Sequence, residues 1–266
     1  MHQRQAILFA LFIMVFTLTA AFFFTRPWLP SLASTRREID HMITIALVVT
    51  GIAFIVTHML LAIFAYKYRH REGHRAAYWH ENTKLEVAWT TITALILFLL
   101  VGNALRVWSH YYTAPPSDAF KVEVTGQQFA WNFRYPGPDH TFGRTDPALI
   151  DEALNPYGID DQDEAAYDDI CPDMLYLPAH RPVEVLVRSK DVIHSFFLPH
   201  FRVKQDAVPG MTIHIWFVPD KPGTYEIACA EHCGHSHFKM RGTLVVLPPD
   251  ALEKKMEELA ADWPCI

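Results

Sequence analysis

Three apolar runs dominate the first 110 positions. Ile7–Phe24 carries no charged residue, Met42–Tyr66 has His58 as its only titratable group, and Val87–Leu105 has none. At 1.5 Å of rise per residue, each is long enough to cross the roughly 30 Å hydrocarbon layer of a bilayer. Beyond Pro115 the pattern shortens and alternates. Phe120–Tyr135 places Val122, Val124, Phe129, Trp131, Phe133 and Tyr135 mostly at period two, which predicts a strand. Further short strands are predicted at Val183–Val187, Phe196–Leu198, Thr212–Val218, Thr224–Ala228 and Thr243–Leu247, with Val208-Pro-Gly210, Pro219–Gly223 and Pro248-Pro249 as breaks. Asp250–Ala261 reads as a short amphipathic helix. The predicted organisation is an N-terminal apolar helix or signal segment with its loop (1–40), a membrane helical hairpin (41–114), an all-β Greek-key domain (115–249) and a C-terminal helix and tail (250–266).

Charge orients this arrangement. The loop Lys67–Lys84 holds five Lys or Arg against Glu72 and Glu81, whereas residues 25–40 balance Arg26, Arg36 and Arg37 with Glu38 and Asp40. The positive-inside bias puts residues 67–84 in the cytoplasm and the β domain outside it, in the periplasm of a bacterium. The first apolar run is open to two readings. Arg4, the run itself and Ser31-Leu-Ala-Ser34 resemble a signal peptide with its cleavage region, while the length of the run favours a retained helix. With a formal net charge of −6 and the basic loop explained by membrane orientation, no nucleic-acid partner is expected.

Residues 136–178 interrupt the β pattern. Between Asp139 and Asp173 lie eleven acidic residues and one basic residue, Arg144. This reads as a solvated surface excursion, or as an electrostatic landing area for a basic partner. Asp160-Asp-Gln-Asp-Glu164 lacks the ligand register of an EF-hand.

The densest chemistry is Cys229-Ala-Glu-His-Cys-Gly-His-Ser-His-Phe-Lys-Met240, which gathers two thiols, three imidazoles, a carboxylate and a thioether. Soft sulfur with imidazole suits copper or zinc. A structural zinc site has no use for Met240, and a blue-copper site leaves one cysteine unexplained. A copper-delivery protein of the Cys-x-x-x-Cys-Pro kind calls for a following helix where a strand is predicted. Two thiolates bridging two coppers use every piece, provided a second histidine comes from elsewhere; Asp191-Val-Ile-His194-Ser supplies one. Cys171 and Cys265 have no ligand-type neighbours and either pair or stay free.

The chain resembles subunit II of the haem–copper cytochrome c oxidases, which carries the dinuclear copper centre CuA. Cys229, Glu231, Cys233, Gly234, His237 and Met240 match the family's Cys-x-Glu-x-Cys-Gly-x-x-His-x-x-Met, and His194 lies 35 positions before Cys229 in an Asp-Val-x-His-Ser segment. The resemblance implies a cupredoxin-like β domain. It implies bridging of two copper ions by Cys229 and Cys233, completion of one by His194 and Met240, and completion of the other by His237 and the Glu231 carbonyl. The Glu231 side chain would face a magnesium or manganese ion shared with subunit I. Glu86 and Trp89 match a Glu-x-x-Trp that the family keeps at the mouth of a proton pathway, with Thr93 where a proline is frequent. His232 and His235 match no ligand and are expected on the loop surface.

Gly126-Gln-Gln-Phe-Ala-Trp131 matches the family's aromatic strand, but Phe129 stands where the electron-accepting tryptophan is expected and Ala130 where the next aromatic is. Phe129 and Trp131 are the candidate entry residues, and the change suggests a dedicated or complex-bound c-type donor. No Cys-x-x-Cys-His occurs, so no c-type haem is attached here. The expected function is electron entry into a proton-pumping terminal oxidase, with oxygen reduced in subunit I. The competing class is the CuA subunit of a nitric-oxide reductase. A quinol oxidase subunit would lack the ligands, nitrous-oxide reductase would need a further large domain, and a copper-storage protein would have no use for Glu86 and Trp89.

Overall fold

The computed structural model describes residues 3–75, 77–151 and 154–265. Three helices come first: α1 (Gln3–Phe24), α2 (Arg37–Lys67) and α3 (Thr83–Tyr111), all long and apolar enough to span a membrane. Most of their large apolar side chains are exposed, as a lipid-facing surface requires. The Asn82 side chain accepts from the Leu85 N–H (3.1 Å) and caps α3, which then runs unbroken through Thr93. In α2 the His58 Nδ1 lies 2.8 Å from the Phe54 carbonyl of its own helix, which satisfies that polar atom within the segment.

The chain divides into two compact units, one made of residues up to Leu29 with Glu38–Ser109, the other of Pro30–Arg37 with His110 onward. The second is a two-sheet β domain. Strands β1 (Phe120–Gln127), β2 (Ala130–Arg134), β4 (Val183–Ser189) and β7 (Ile213–Phe217) form one sheet in the order β2-β1-β4-β7. Strands β3 (Leu175–Pro178), β5 (His194–Leu198), β6 (Val203–Ala207), β8 (Gly223–Cys229) and β9 (Arg241–Leu247) form the other, ordered β3-β9-β8-β5-β6. Alternate residues turn inward to one core: Val122, Val124 and Phe133 with Val185 and Val187 from the first sheet, and Leu177, Phe196, Ile227 and Leu244 from the second. Burial of each such side chain contributes about 1.5–3 kcal/mol. Helix α4 (Pro249–Asp262) covers one edge through Leu252 and Leu259.

Three sequence expectations change here. Phe120–Tyr135 is a hairpin, not one strand: the chain reverses at Gln128-Phe129, and Gly126 pairs with Trp131. Strand β6 was not predicted. Its Lys204-Gln205-Asp206 centre has no apolar alternation, as an edge strand bonded only to β5 permits. The acidic insertion is no loose excursion. Arg134, 2 % exposed, reaches Glu123 (3.5 Å) on one side and Asp169 (3.4 Å) on the other, and donates to the Gly143 carbonyl (3.0 Å). Arg188 joins Glu123 (3.0 Å) to the Thr145 hydroxyl (3.0 Å). The insertion thus closes over buried charges of β1 and β2 and a part-buried one of β4. Asp160 and Asp163 are both engaged by Arg144, at 3.1 and 3.3 Å. Cys171 and Cys265 are disulfide-bonded, which ties the end of the insertion to the tail beyond α4.

Pro30–Arg37 is stitched into the β domain. The Ala33 N–H donates to the His200 carbonyl (2.8 Å) and the Ser34 hydroxyl to the Phe201 carbonyl (2.9 Å). Arg36 donates to the carbonyls of Trp216 (2.6 Å) and Arg202 (3.3 Å), while its guanidinium stacks on the Tyr111 ring at 4.6 Å. Burial holds the Arg36 pKa below its ordinary value.

Candidate metal centre

Strand β8 ends at Cys229, and the chain returns as β9 at Arg241. The loop between them is pinned at its base, where the Cys229 N–H meets the Met240 carbonyl (3.2 Å) and the Ala230 N–H meets the Ser195 carbonyl (3.0 Å). A 3-10 turn over His237–Lys239 folds Met240 back under the loop. Pairing of Phe196 with Cys229 then sets the start of β5, and with it His194, beside the thiols. His194 lies within the strand, not before it.

The donors converge. The Cys229 and Cys233 sulfurs stand 3.9 Å apart and unbonded, the Cys233 sulfur is 3.6 Å from His237 Nδ1 and 3.7 Å from Met240 Sδ, and the Cys229 sulfur is 3.2 Å from the Glu231 carbonyl. One ligand atom each of His194, Cys229 and Cys233 falls within 4.8 Å of the others. His194 is fully buried. Its Nε2 is 2.7 Å from the Asp191 carboxylate, and its Nδ1 is buried with no hydrogen-bond partner. A buried imidazole nitrogen rarely goes unpaired; here the missing partner fits a metal ion, and the carboxylate on the other nitrogen is the usual way a ligating ring is oriented. Burial, then the neighbouring Cys229, pushes the Cys233 thiol up to about 11, so metal binding there releases protons. Desolvation works to raise Asp191, but bonds from His194 and from the Gln128 and Val192 N–H groups leave it below the ordinary carboxylate value.

The β1–β2 corner plugs into this loop. The Gln128 amide donates to the Cys233 carbonyl, and Phe129 packs on Gly234. Gly234 has φ +140, and a Cβ there would meet Gln128 Nε2 at 2.9 Å and the Phe129 ring at 3.0 Å, so this position suits only glycine. Phe129 is half-buried and meets the exposed His235 edge-on at 4.9 Å. Trp131, by contrast, is 6 % exposed and packs edge-on against His194 (6.0 Å) and Phe196 (5.5 Å). His232 is exposed, with its ring 5.6 Å from that of His237, and the Glu231 side chain is exposed as well. Glu86 and Trp89 lie in the first two turns of α3.

Sequence reading singled out every convergent donor. It assigned no role to Asp191, Gln128 and Gly126, which support the donors. An acid three residues before His194 was the available signal for Asp191; the other two act through space.

Two family models match the chain: the periplasmic domain of cytochrome c oxidase subunit II over residues 120–246, and its transmembrane domain over 28–107. The chain belongs to the cytochrome c oxidase subunit II family. It is 38% identical over 221 residues to the alternative cytochrome c oxidase subunit 2 of Bradyrhizobium diazoefficiens, covering 82% of this chain and 79% of that one. It is 29% identical over 238 residues to cytochrome c oxidase subunit 2 of Cereibacter sphaeroides, covering 86% and 78%. Among solved structures it is similar to the periplasmic domain of subunit II of cytochrome oxidase (CoxB) of Bradyrhizobium japonicum, with 26% identity, a TM-score of 0.41, and coverage of 56% of this chain and 99% of that one. As a subunit II the chain is part of an oxidoreductase complex, with membrane-spanning helices followed by a cupredoxin-like domain whose His and Cys cluster can hold a metal.

Proposed function

We propose that this chain is the electron-entry subunit of a proton-pumping terminal oxidase in a bacterial inner membrane, with the β domain in the periplasm. The observation that carries the reading is the convergence of two unbonded thiols, a thioether and two imidazoles, one with a buried and unpartnered Nδ1. Bound there, a pair of copper ions supplies a one-electron store. The thiolates of Cys229 and Cys233, the imidazoles of His194 and His237, the Met240 thioether and the Glu231 carbonyl would hold the pair. The Glu231 carboxylate would face a magnesium or manganese ion at the boundary with subunit I.

The protein's part is to keep these donors still. His194 is locked by Asp191, Met240 by the 3-10 turn, and Cys233 by Gln128. Donors that hardly move between oxidation states keep the reorganisation cost of electron transfer low. Phe129 offers an apolar edge at the rim for a c-type cytochrome, and Trp131 carries aromatic contact inward to His194. The centre would pass its electrons on to subunit I, whose haem would supply the oxygen chemistry, and Glu86 would serve the mouth of a proton path into that subunit. The exposed acids of the insertion favour a basic donor.

Metal analysis with electron paramagnetic resonance on the purified chain tests this. Two coppers sharing one unpaired electron are expected, collapsing in Cys233→Ser. One zinc, or a single copper with an ordinary four-line pattern, would overturn the reading.

A further inference from the structure

The donors lie on a gradient of burial. His232 is exposed, Cys229 and His237 are partly covered, Cys233 is 4 % exposed, Met240 1 % and His194 0 %. An ion arriving from solvent therefore meets the rim long before the floor. His232 belongs to no ligand set above, and its ring contact is with His237, at 5.6 Å between centroids and an interplanar angle of 70°. With metal–nitrogen bonds of about 2.0 Å, two imidazoles on one ion stand about 5–6 Å apart at their centroids. The spacing of the two rings matches that of two imidazoles on one ion. Imidazole is a good copper ligand, and the Cys229 thiol, four residues from Cys233, is only partly buried.

We propose that His232 is a loading ligand. It captures incoming copper together with His237 at the rim and passes it inward to Cys229 and Cys233, after which His232 is free again. The transfer is a ligand exchange: the imidazole nitrogen of His232 leaves the ion as a thiolate sulfur bonds to it, and the thiol proton goes to solvent. No change of oxidation state is involved. The inference rests on the copper reading of the site and adds the route by which the site fills.

The test follows copper uptake by the full-length chain in detergent, prepared free of metal with its thiols reduced, using Cu(I) buffered by bicinchoninic acid. In His232→Ala the rate of uptake is expected to fall about tenfold, while final copper content and circular dichroism match the parent. His232→Met, which keeps a soft ligand at the rim, is expected to recover most of the rate. His232→Leu is not expected to do so, and His235→Ala, which removes the other exposed imidazole of the loop, is expected to load at the parent rate. Equal uptake by His232→Ala and the parent would overturn the proposal, as would equal slowing by His235→Ala. Failure of the parent to bind two coppers would instead remove the metal reading beneath it.

Discussion

Asp191 holds one nitrogen of His194 at 2.7 Å and leaves the other buried, unpartnered and grouped with two thiols. The carboxylate itself is fixed by the backbone N–H groups of Gln128 and Val192, each at 2.7 Å. One exposed acid therefore links the β1–β2 corner to the orientation of the most deeply placed donor. Asp191→Ala is expected to lower copper affinity about 10- to 100-fold by releasing the ring. Competition titration against a chelator of known affinity checks this; an affinity within twofold of the parent would show that packing alone orients His194.

Gly126 is the wall behind that ring. A Cβ at this position would lie 2.9–3.1 Å from three atoms of the His194 side chain. Gly126→Ala is expected to cost about 1–3 kcal/mol, as overpacking a rigid core does. It should also displace the imidazole, so that copper content drops together with the melting temperature. A variant as stable as the parent, with full copper, would mean that the strand yields freely.

Asp169 makes stability depend on pH. Desolvation is the largest influence on its carboxyl and, against the opposing Arg134, raises it from the ordinary 3.8 to about 6. The folded state therefore binds more protons than the unfolded one between about pH 4 and pH 6, and this group's contribution falls as pH rises through that window. Asp169→Asn is expected to remove the fall. The difference between the variant's melting temperature and the parent's should rise from pH 4 to pH 6 and level off above. A flat difference would count against the raised value.

The disulfide closes a loop of 94 residues. Replacing Cys171 and Cys265 with serine is expected to cost about 2–5 kcal/mol in denaturant unfolding, with the copper resonance unchanged because neither residue belongs to the metal loop. A loss of the resonance would show that the tail and insertion support the centre.

The exposed acids Asp161, Glu164 and Asp173 can be neutralised without touching the buried pairs beneath them. The triple variant Asp161→Asn, Glu164→Gln, Asp173→Asn is expected to slow reduction by a basic c-type cytochrome several-fold at low ionic strength. At about 1 M salt, where the screening length is about 3 Å, its rate should meet the parent's. Rates equal to the parent's at every salt concentration would leave the insertion without a part in docking.

Much of this arrangement is legible from residue order, because its signals are local. Apolar runs of membrane length give the helices, and the spacing from Cys229 to Met240 gives the loop. What escaped depends on partners distant in the chain. Asp169 looked as solvated as the acids around it because the arginine that engages it lies at 134, outside the insertion, as does Arg188, which reaches Thr145. The 171–265 pairing was left open for the same reason. Strand β6 was hidden by its edge position, which relieves Lys204 and Asp206 of any need to be apolar. The turn at Gln128 was hidden because alternation continues across it into β2.

The clasp between residues 30–37 and the β domain sets an order of events during synthesis. Ser34 leaves the ribosome 167 residues ahead of Phe201, the carbonyl it binds. Throughout that interval the segment waits outside its final structure, and so does the Arg36 guanidinium, whose acceptors are at 202 and 216. Closing so long a loop late delays folding. The clasp can therefore shut only once nearly all strands have been made, a short stretch before Cys229 appears. Completion of β7 and arrival of the Cys229–Met240 loop are thus close in time, with β8 and β9 still to close the second sheet around it.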